Sequence, residues 1–456
     1  MNRLFEQQKG AALMMFLLFF LFGSSALTFA LARTIYSDTV TYRLLADSTQ
    51  SYLAADSGVE DTAYRFVATL AVDASETVVM GNAVATTEYV FDNVSDKYNV
   101  VATGIDNDAY RSTSMELFTG SGASFNFGVQ SGNGGFIMGN SATVQGNVFS
   151  NGTIMKDSGG TATIYGDAIS SGPTGLIVDI TATGTARART IRNTNVGEDA
   201  YAYTLDGGLV SGDAYINTKL DGAVVVGSEY PHEPEEATTT MPISDDDIDA
   251  IKQDIIDTGT VIASTDPECL DGEYDLSGTD LTIGFLKIEC DFTFKKGSGA
   301  TLTLTGSIWV EGNVTFFGGP DVVIDAGVGN RTVPFIVDNE SDRSASSMIM
   351  VQTGTTFTGS GSPKSYILLI SQNDDAENSL GNTAISLSQS SAGDLLVYAS
   401  HGKVVLGNSI SLKEVTGYLI DIGQSSEIIY ESGLVNLLFT SGPGGGFTIG
   451  SWSEVY

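Results

Sequence analysis

The chain has 456 residues, with 55 acidic against 21 basic side chains and a net charge of −34. That balance excludes a nucleic-acid partner, since phosphate binding needs clustered Lys and Arg, and it suits a soluble extracellular surface. Fifty-three glycines with only 17% charged residues give a β-rich composition with many tight turns and exclude a disordered chain.

The first element is an apolar helix. From Ala11 to Ala32 there are 22 residues without a charge. At about 1.5 Å per residue this makes roughly 33 Å, enough to cross a bilayer core. Arg3 and Lys9 precede it and place the short N-terminal tail in the cytoplasm. The junction Lys9-Gly10-Ala11 sets a basic residue and a glycine directly against the apolar run.

The opening MNRLFEQQKGAALMMFLLFFLF and the later SYLAADSGVEDTAYRF together resemble the N-terminal region of type IV minor pilins and pseudopilins, most closely the group around the minor pilin PilX and the tip pseudopilins. The resemblance covers about the first 70 residues. It implies a leader over residues 1–10, cut by a prepilin peptidase between Gly10 and Ala11. It also implies a membrane and assembly helix over residues 11–72, with Ala11, Leu13, Met15, Leu17, Phe20, Phe22, Leu27 and Leu31 packing among the helices of other pilin-like subunits. Major pilins carry a glutamate at the fifth mature position. Here that residue is Met15, and the same gap occurs in tip-type subunits of the family. Two other readings stand beside this one. Ala30-Leu31-Ala32 is an A-x-A site for a secretory signal peptide, and the run is equally a plain anchor for a large exported domain.

Beyond Ala32 the residues Ile35, Tyr42, Leu45, Tyr52, Val59, Ala63, Phe66 and Leu70 fall at helical spacing, and no proline interrupts Ala11 to Leu70. The runs Thr86–Val94, Lys97–Ile105 and Tyr110–Phe118 then read as strands with Asn/Asp turns, a small antiparallel sheet over residues 73–120. It is expected to pack on the helix face carrying Tyr52, Val59 and Phe66.

Residues 121–456 carry a thin repeat. Val144-Gln145-Gly146-Asn147-Val148, Ile164-Tyr165-Gly166-Asp167-Ala168, Val210-Ser211-Gly212-Asp213-Ala214 and Val310-Glu311-Gly312-Asn313-Val314 share one pattern, the first two 20 residues apart. Short strands with Gly-Asn or Gly-Asp corners predict the rungs of a parallel β-helix, with an irregular β-sandwich as the alternative. Residues 231–266 interrupt it with PHEPEEATTTMP and a short amphipathic helix, Ser244 at its N-cap and Asp245 to Asp247 in its first turn. Runs such as SYILLISQ and DLLVYAS are apolar on both faces, and the tail with Trp452 and Tyr456 is expected to cap the final rung. The expected fold is thus mainly β with one long N-terminal α-helix: a pilin-like helix, a small antiparallel sheet and a parallel β-helix (solenoid) domain.

Chemistry is sparse. Cys269 and Cys290 suit one disulfide in an exported protein, zinc being the weaker reading for want of further ligands. His232 fails the H-E-x-x-H pattern and reads as an exposed loop residue, and His401 reads as a turn residue. Arg187, Arg189 and Arg192 read as a solvated strand face, and Asp245 to Asp247 as helix-capping residues, not calcium ligands. The glycine runs Gly132–Gly135 and Gly442–Gly446 lack the residues of a phosphate cradle. No catalytic, cofactor or metal residue is assigned, and the chain is expected not to be an enzyme. The reading is a tip-type minor pilin displaying an acidic solenoid at the cell surface for adhesion, with a surface glycan or protein as ligand. The alternatives are a membrane-anchored adhesin outside any fibre and an exported glycan-active β-helix enzyme.

Overall fold

The computed structural model describes residues 2–67, 72, 75–92, 97–157, 159–269, 271–296, 299–378, 381–431, 434, 437–441 and 444–455. For residues 2–12, 67, 92, 97, 118–122, 277 and 444–450 only the backbone is described. The fold is mainly β with one long N-terminal helix, an antiparallel sheet and a parallel solenoid. It divides into two units, residues 1–119 with 447–456, and residues 120–446.

In the first unit, α1 runs Asn2–Val67, about 99 Å at 1.5 Å per residue. Its sheet has β1 (Ser75–Met80), β2 (Ala83–Asp92), β3 (Lys97–Asp106) and β4 (Ala109–Ala123) in sequential antiparallel order. The helix face on this sheet is made of small residues: Ser51, Ala54, Ala55, Val59, Thr62 and Ala63 are buried. A Cβ at Gly104 would stand 2.0 Å from the Ser51 carbonyl, so helix and strand approach closer than a larger residue permits. Phe66 closes the face against Tyr89 and Tyr98, with ring centroids 5.1 and 4.6 Å away. The expected face is corrected at Tyr52, which is 36% exposed: the groove admits alanine-sized side chains. Leu70 lies outside the described residues.

The C-terminal strand Gly444–Val455 pairs with β4 in this sheet. Trp452 donates from Nε1 to Asp56 on α1 (3.0 Å), and Glu454 pairs with Arg111 (2.8 Å). The expectation that the tail caps the last solenoid rung, and that the solenoid runs to residue 456, is therefore corrected. Polar partners on α1 and β4 hold it in the first unit. Tyr456 lies outside the described residues.

The second unit is a parallel β-helix whose rungs contribute short strands to a 21-stranded and a 13-stranded sheet. Its chain order is not its stacking order. The strand β5 (Val129–Met138) forms a middle rung, and successive rungs stack outward from it to the strand Glu229–Pro231. The chain then crosses to the opposite end, restarts at Thr260–Ile262 and stacks inward. The strand Glu414–Ile422 closes the stack by pairing parallel with β5, Val415 opposite Val129 and Ile420 opposite Phe136. One core column crosses this seam without a break: Leu286, Ile308, Phe335, Leu369, Val397, Val415, Val129, Val148 and Ala168 are in register, each at most 7% exposed.

The crossing segment is a strap on the solenoid surface. Glu235 meets Arg189 at 2.7 Å, the Glu236 carbonyl accepts from Gly172, Asn151 donates to the Thr239 carbonyl (2.8 Å) and Gln130 to that of Thr240 (2.8 Å). Ser244 then caps α2 (Asp245–Thr258) in a capping box with Asp247. Ile248, Ile251 and Ile255 of α2 are buried with Trp309, Ile336, Leu368, Ile370, Leu396 and Tyr398. Three isoleucines so covered contribute about 1.5–3 kcal/mol each as an upper bound. This explains strands apolar on both faces: one face fills the solenoid core and the other lies under α2.

The Gly-Asp corners have a mechanical cause. Each Asp or Asn reaches to the next rung, where its Oδ1 accepts a backbone N–H. Asn147 accepts from Asp167, Asp167 from Thr185, Asp199 from Asp213 and Asp213 from Ser228, all at 2.7–2.9 Å. The glycine before it makes room for the carboxylate below, since a Cβ at Gly212 would lie 2.4 Å from Asp199 Oδ1. Three of the four sequence matches occupy this corner. The fourth, around Gly312, occupies another, between the strands Ile308–Val310 and Val314–Phe317. The 20-residue spacing holds from Val148 to Ala168 and again from Leu302 to Val322, while Ala186, Ala200 and Ala214 stand in register 14 residues apart.

Candidate functional site

The apolar stretch of α1 is the first candidate. Leu13, Met15, Leu17, Phe20, Phe22, Leu27 and Leu31 are 56–68% exposed, and every described side chain from Leu13 to Ala46 is exposed. A helix apolar all round requires lipid or other helices as its solvent. Two of its three hydroxyls are satisfied within the helix: Ser24 donates to the Leu21 carbonyl and Thr28 to that of Ser24. By length and composition it is a candidate membrane span. Gly10 and Ala11 lie within α1, with only their backbone described.

Cys269 and Cys290 form a disulfide with Cα atoms 5.9 Å apart, both sulfurs being buried among the core residues. It ties the terminal rung, which begins at Thr260, to the next. Arg187 lies over the Tyr201 ring (3.7 Å), Arg189 pairs with Glu235 and Arg192 with Asp206 (3.0 Å). These arginines are thus half-exposed and partnered, beginning a stack that continues through Tyr201, Tyr215 and Tyr230 at 4.5 and 5.1 Å. His232 is corrected from an exposed loop residue: it is half-buried, edge-on to Tyr203.

One acidic cluster has the spacing of a cation site. Asp249, Asp338 and Glu340 converge, yet the Lys252 ammonium stands among them, 2.7 Å from each. Burial disfavours the charge on Lys252 and on Asp338, but the hydrogen bonds that each makes, the one between them included, together outweigh it. Arg343 adds to this at Asp338, and Asp249 and Glu340 at Lys252. The lysine is held above its usual range and the aspartate below. The cluster is an ion-pair network around the buried Lys252 and Asp338, rimmed by the exposed Asp249 and Glu340, and it locks α2 to the solenoid.

The second candidate is a cleft at the seam. Three neighbouring rungs depart from regular pairing at one corner. Register shifts between Ala399 and Lys403, and between Gly417 and Leu419 opposite Ser131 and Gly135. Such bulges release side chains from the ladder and re-aim them. Here Ser400, His401, Tyr418, and Gly132 and Asn133 of the Gly132–Gly135 run, line a cleft with the strap from Thr240 to Asp245. The cleft is open to solvent and offers about 350 Å³. The Tyr418 ring lies against Gly132 and Gly134, where a Cβ would come 3.2 and 3.0 Å from ring carbons.

His401 is corrected from a turn residue: it sits in the strand Leu395–Leu406 and bridges two carboxylates. Its Nδ1 meets Glu377 (2.5 Å) and its Nε2 meets Asp245 (3.1 Å). Burial opposes the charged ring, but the two carboxylates prevail and raise its pKa. Ser400 Oγ is buried beside the Tyr398 hydroxyl, which donates to the Ile243 carbonyl. Sequence reasoning missed this site because Asp245, Glu377 and His401 come from three distant segments. The only local signal was the glycine run at Gly132.

No family model matches the sequence, and no curated protein matches it. Among solved structures, the competence-associated pilin ComZ from Thermus thermophilus is similar at 11% identity over 90% of this chain and 97% of that chain, with a TM-score of 0.30. A likeness at that level carries no argument about fold or function.

Proposed function

We propose that the chain is a minor, tip-type pilin-like subunit that displays its acidic solenoid outside the cell for attachment, and that its role is structural and adhesive, not catalytic. The observation that carries this reading is α1. Its apolar portion is exposed on all sides, and the same helix continues without a break into a small-residue face docked on the sheet. An anchor rigidly continuous with its head is what a subunit needs to leave the membrane and pack by its helix. In this reading a prepilin peptidase cuts between Gly10 and Ala11. Met15 then supplies no carboxylate to a neighbour's N-terminal amine, which suits a position with no subunit ahead of it. Before assembly the helix is a single pass with the solenoid extracytoplasmic, and afterwards its partners are other pilin-like helices.

Membranes containing the full chain are treated with purified prepilin peptidase and the product's N-terminus is sequenced. A new terminus at Ala11 is expected. A chain left uncut, or one recovered from cells beginning at Arg33, overturns the fibre assignment and leaves an anchored or secreted solenoid.

A further inference from the structure

We infer that the seam cleft binds a saccharide, an uncharged or amine-bearing pyranose, stacked on Tyr418 and hydrogen-bonded by Asp245, Glu377 and Asn133. The inference rests on the adhesive part of the proposed function and gives it a location.

The cleft is preformed. Its roof is pinned on both sides, by Gln130 to the Thr240 carbonyl and by Asn151 to the Thr239 carbonyl, and Tyr398 fixes the Ile243 carbonyl from beneath. A pinned wall loses little entropy when a ligand arrives. About 350 Å³ lies at the small end of ligand sites and accommodates one or two sugar rings. The floor supplies a half-buried aromatic ring on a bed of glycines, a flat apolar surface of the kind that the C–H face of a pyranose covers.

The rim supplies what hydroxyl groups require. Asp245 and Glu377 are about half exposed, and a carboxylate has about four lone-pair sites, so each retains acceptor capacity beside its bond to His401. Asn133 is exposed at the edge and carries both donor and acceptor. Two carboxylates against one imidazolium leave the cleft net negative, in a chain of net charge −34, which disfavours uronic, sialic or phosphorylated sugars. A peptide is a poorer fit, because β5 and the strand Glu414–Ile422 are paired on both sides and offer it no free edge here.

The test uses the full-length chain in a detergent without a sugar head group, read by saturation-transfer NMR with galactose, N-acetylglucosamine, glucosamine and N-acetylneuraminic acid. Transfer to ring C–H protons is expected for at least one of the first three and not for the anionic sugar. Tyr418→Ala should weaken it about tenfold, the scale of a lost stacking contact. Tyr418→Phe should retain it, and the near-isosteric Glu377→Gln should weaken it in a chain whose thermal midpoint is unchanged. Tyr215→Ala, on the distant tyrosine stack, should leave it as it was. Absence of transfer to every sugar overturns the inference, as does equal transfer to N-acetylneuraminic acid or full retention in both Tyr418→Ala and Glu377→Gln. Binding is read on the unassembled chain, so a protein that is cut at Ala11 yet binds no sugar loses this inference and keeps its fibre assignment.

Discussion

Glu414 shows how far a single side chain departs from its sequence appearance. It is an acid beside Lys413, a pairing that suggests exposure, yet it is wholly buried, with Thr416 donating to Oε1 and Oε2 left without a partner. Burial pushes its pKa well above the ordinary carboxylate range, against the smaller opposing effect of the Thr416 hydroxyl. The folded chain therefore keeps a proton that the unfolded chain releases. Stability contributed by the neutral acid is present at low pH and is lost as pH rises from the ordinary carboxylate range toward the raised pKa. Glu414→Gln removes that titration. Denaturant titrations at several pH values should show a flatter pH dependence and, at pH 8, a variant at least as stable as wild type. A variant less stable at pH 8 with an unchanged slope would mean that the carboxylate is ionised in the fold.

At the scale of elements, legibility followed distance along the chain. The cap of α2 was readable because Ser244 and Asp247 are three residues apart and bond directly. The long helix was readable from its apolar run, but its buried face was not. A Tyr52 stripe and an alanine stripe have the same period, and only the close approach of Ser51 to Gly104 selects the second. The solenoid was signalled by Gly-Asp corners, yet rungs of unequal length hid the 14-residue recurrence of Ala186, Ala200 and Ala214. The corner also makes a quantitative claim. Gly212→Ala puts a methyl group 2.4 Å from Asp199 Oδ1 and 2.8 Å from the Glu198 carbonyl group, and should cost about 1–3 kcal/mol. Asp199→Ala deprives the Asp213 N–H of its acceptor. In the double variant the side-chain clash is gone, so the combined loss in a denaturant titration should be smaller than the sum of the two. Strict additivity would show that the two rungs do not meet through this pair.

For the whole molecule, the decisive feature is an arrangement that no local pattern records: the solenoid begins in its own middle and closes on itself. The chain leaves the sheet of the first unit through β4 and returns to it as the strand Gly444–Val455, so the solenoid is an insertion with two covalent tethers. Between the tethers, the outward half (residues 129–231) and the inward half (260–430) are joined covalently only by the strap, but they are also paired across the seam from Val415–Val129 to Ile422–Met138 and again from Glu427–Thr143 to Ile429–Gln145. If the seam is a true continuation of the core, the strap is dispensable for holding the halves together once folded. A protease site placed at Glu233–Glu236, followed by cleavage, should leave two fragments that co-purify without denaturant and separate in it. The thermal midpoint should fall, because the cut converts an intramolecular contact into an association and frees the Arg189–Glu235 pair. Adding Ile420→Asp to the nicked protein puts a charge opposite Phe136 in the core and should lower the thermal midpoint further, while the strand Gly444–Val455 still pairs the second fragment with β4 of the first. Separation of the nicked wild-type chain would instead assign the stability of the stack to the strap.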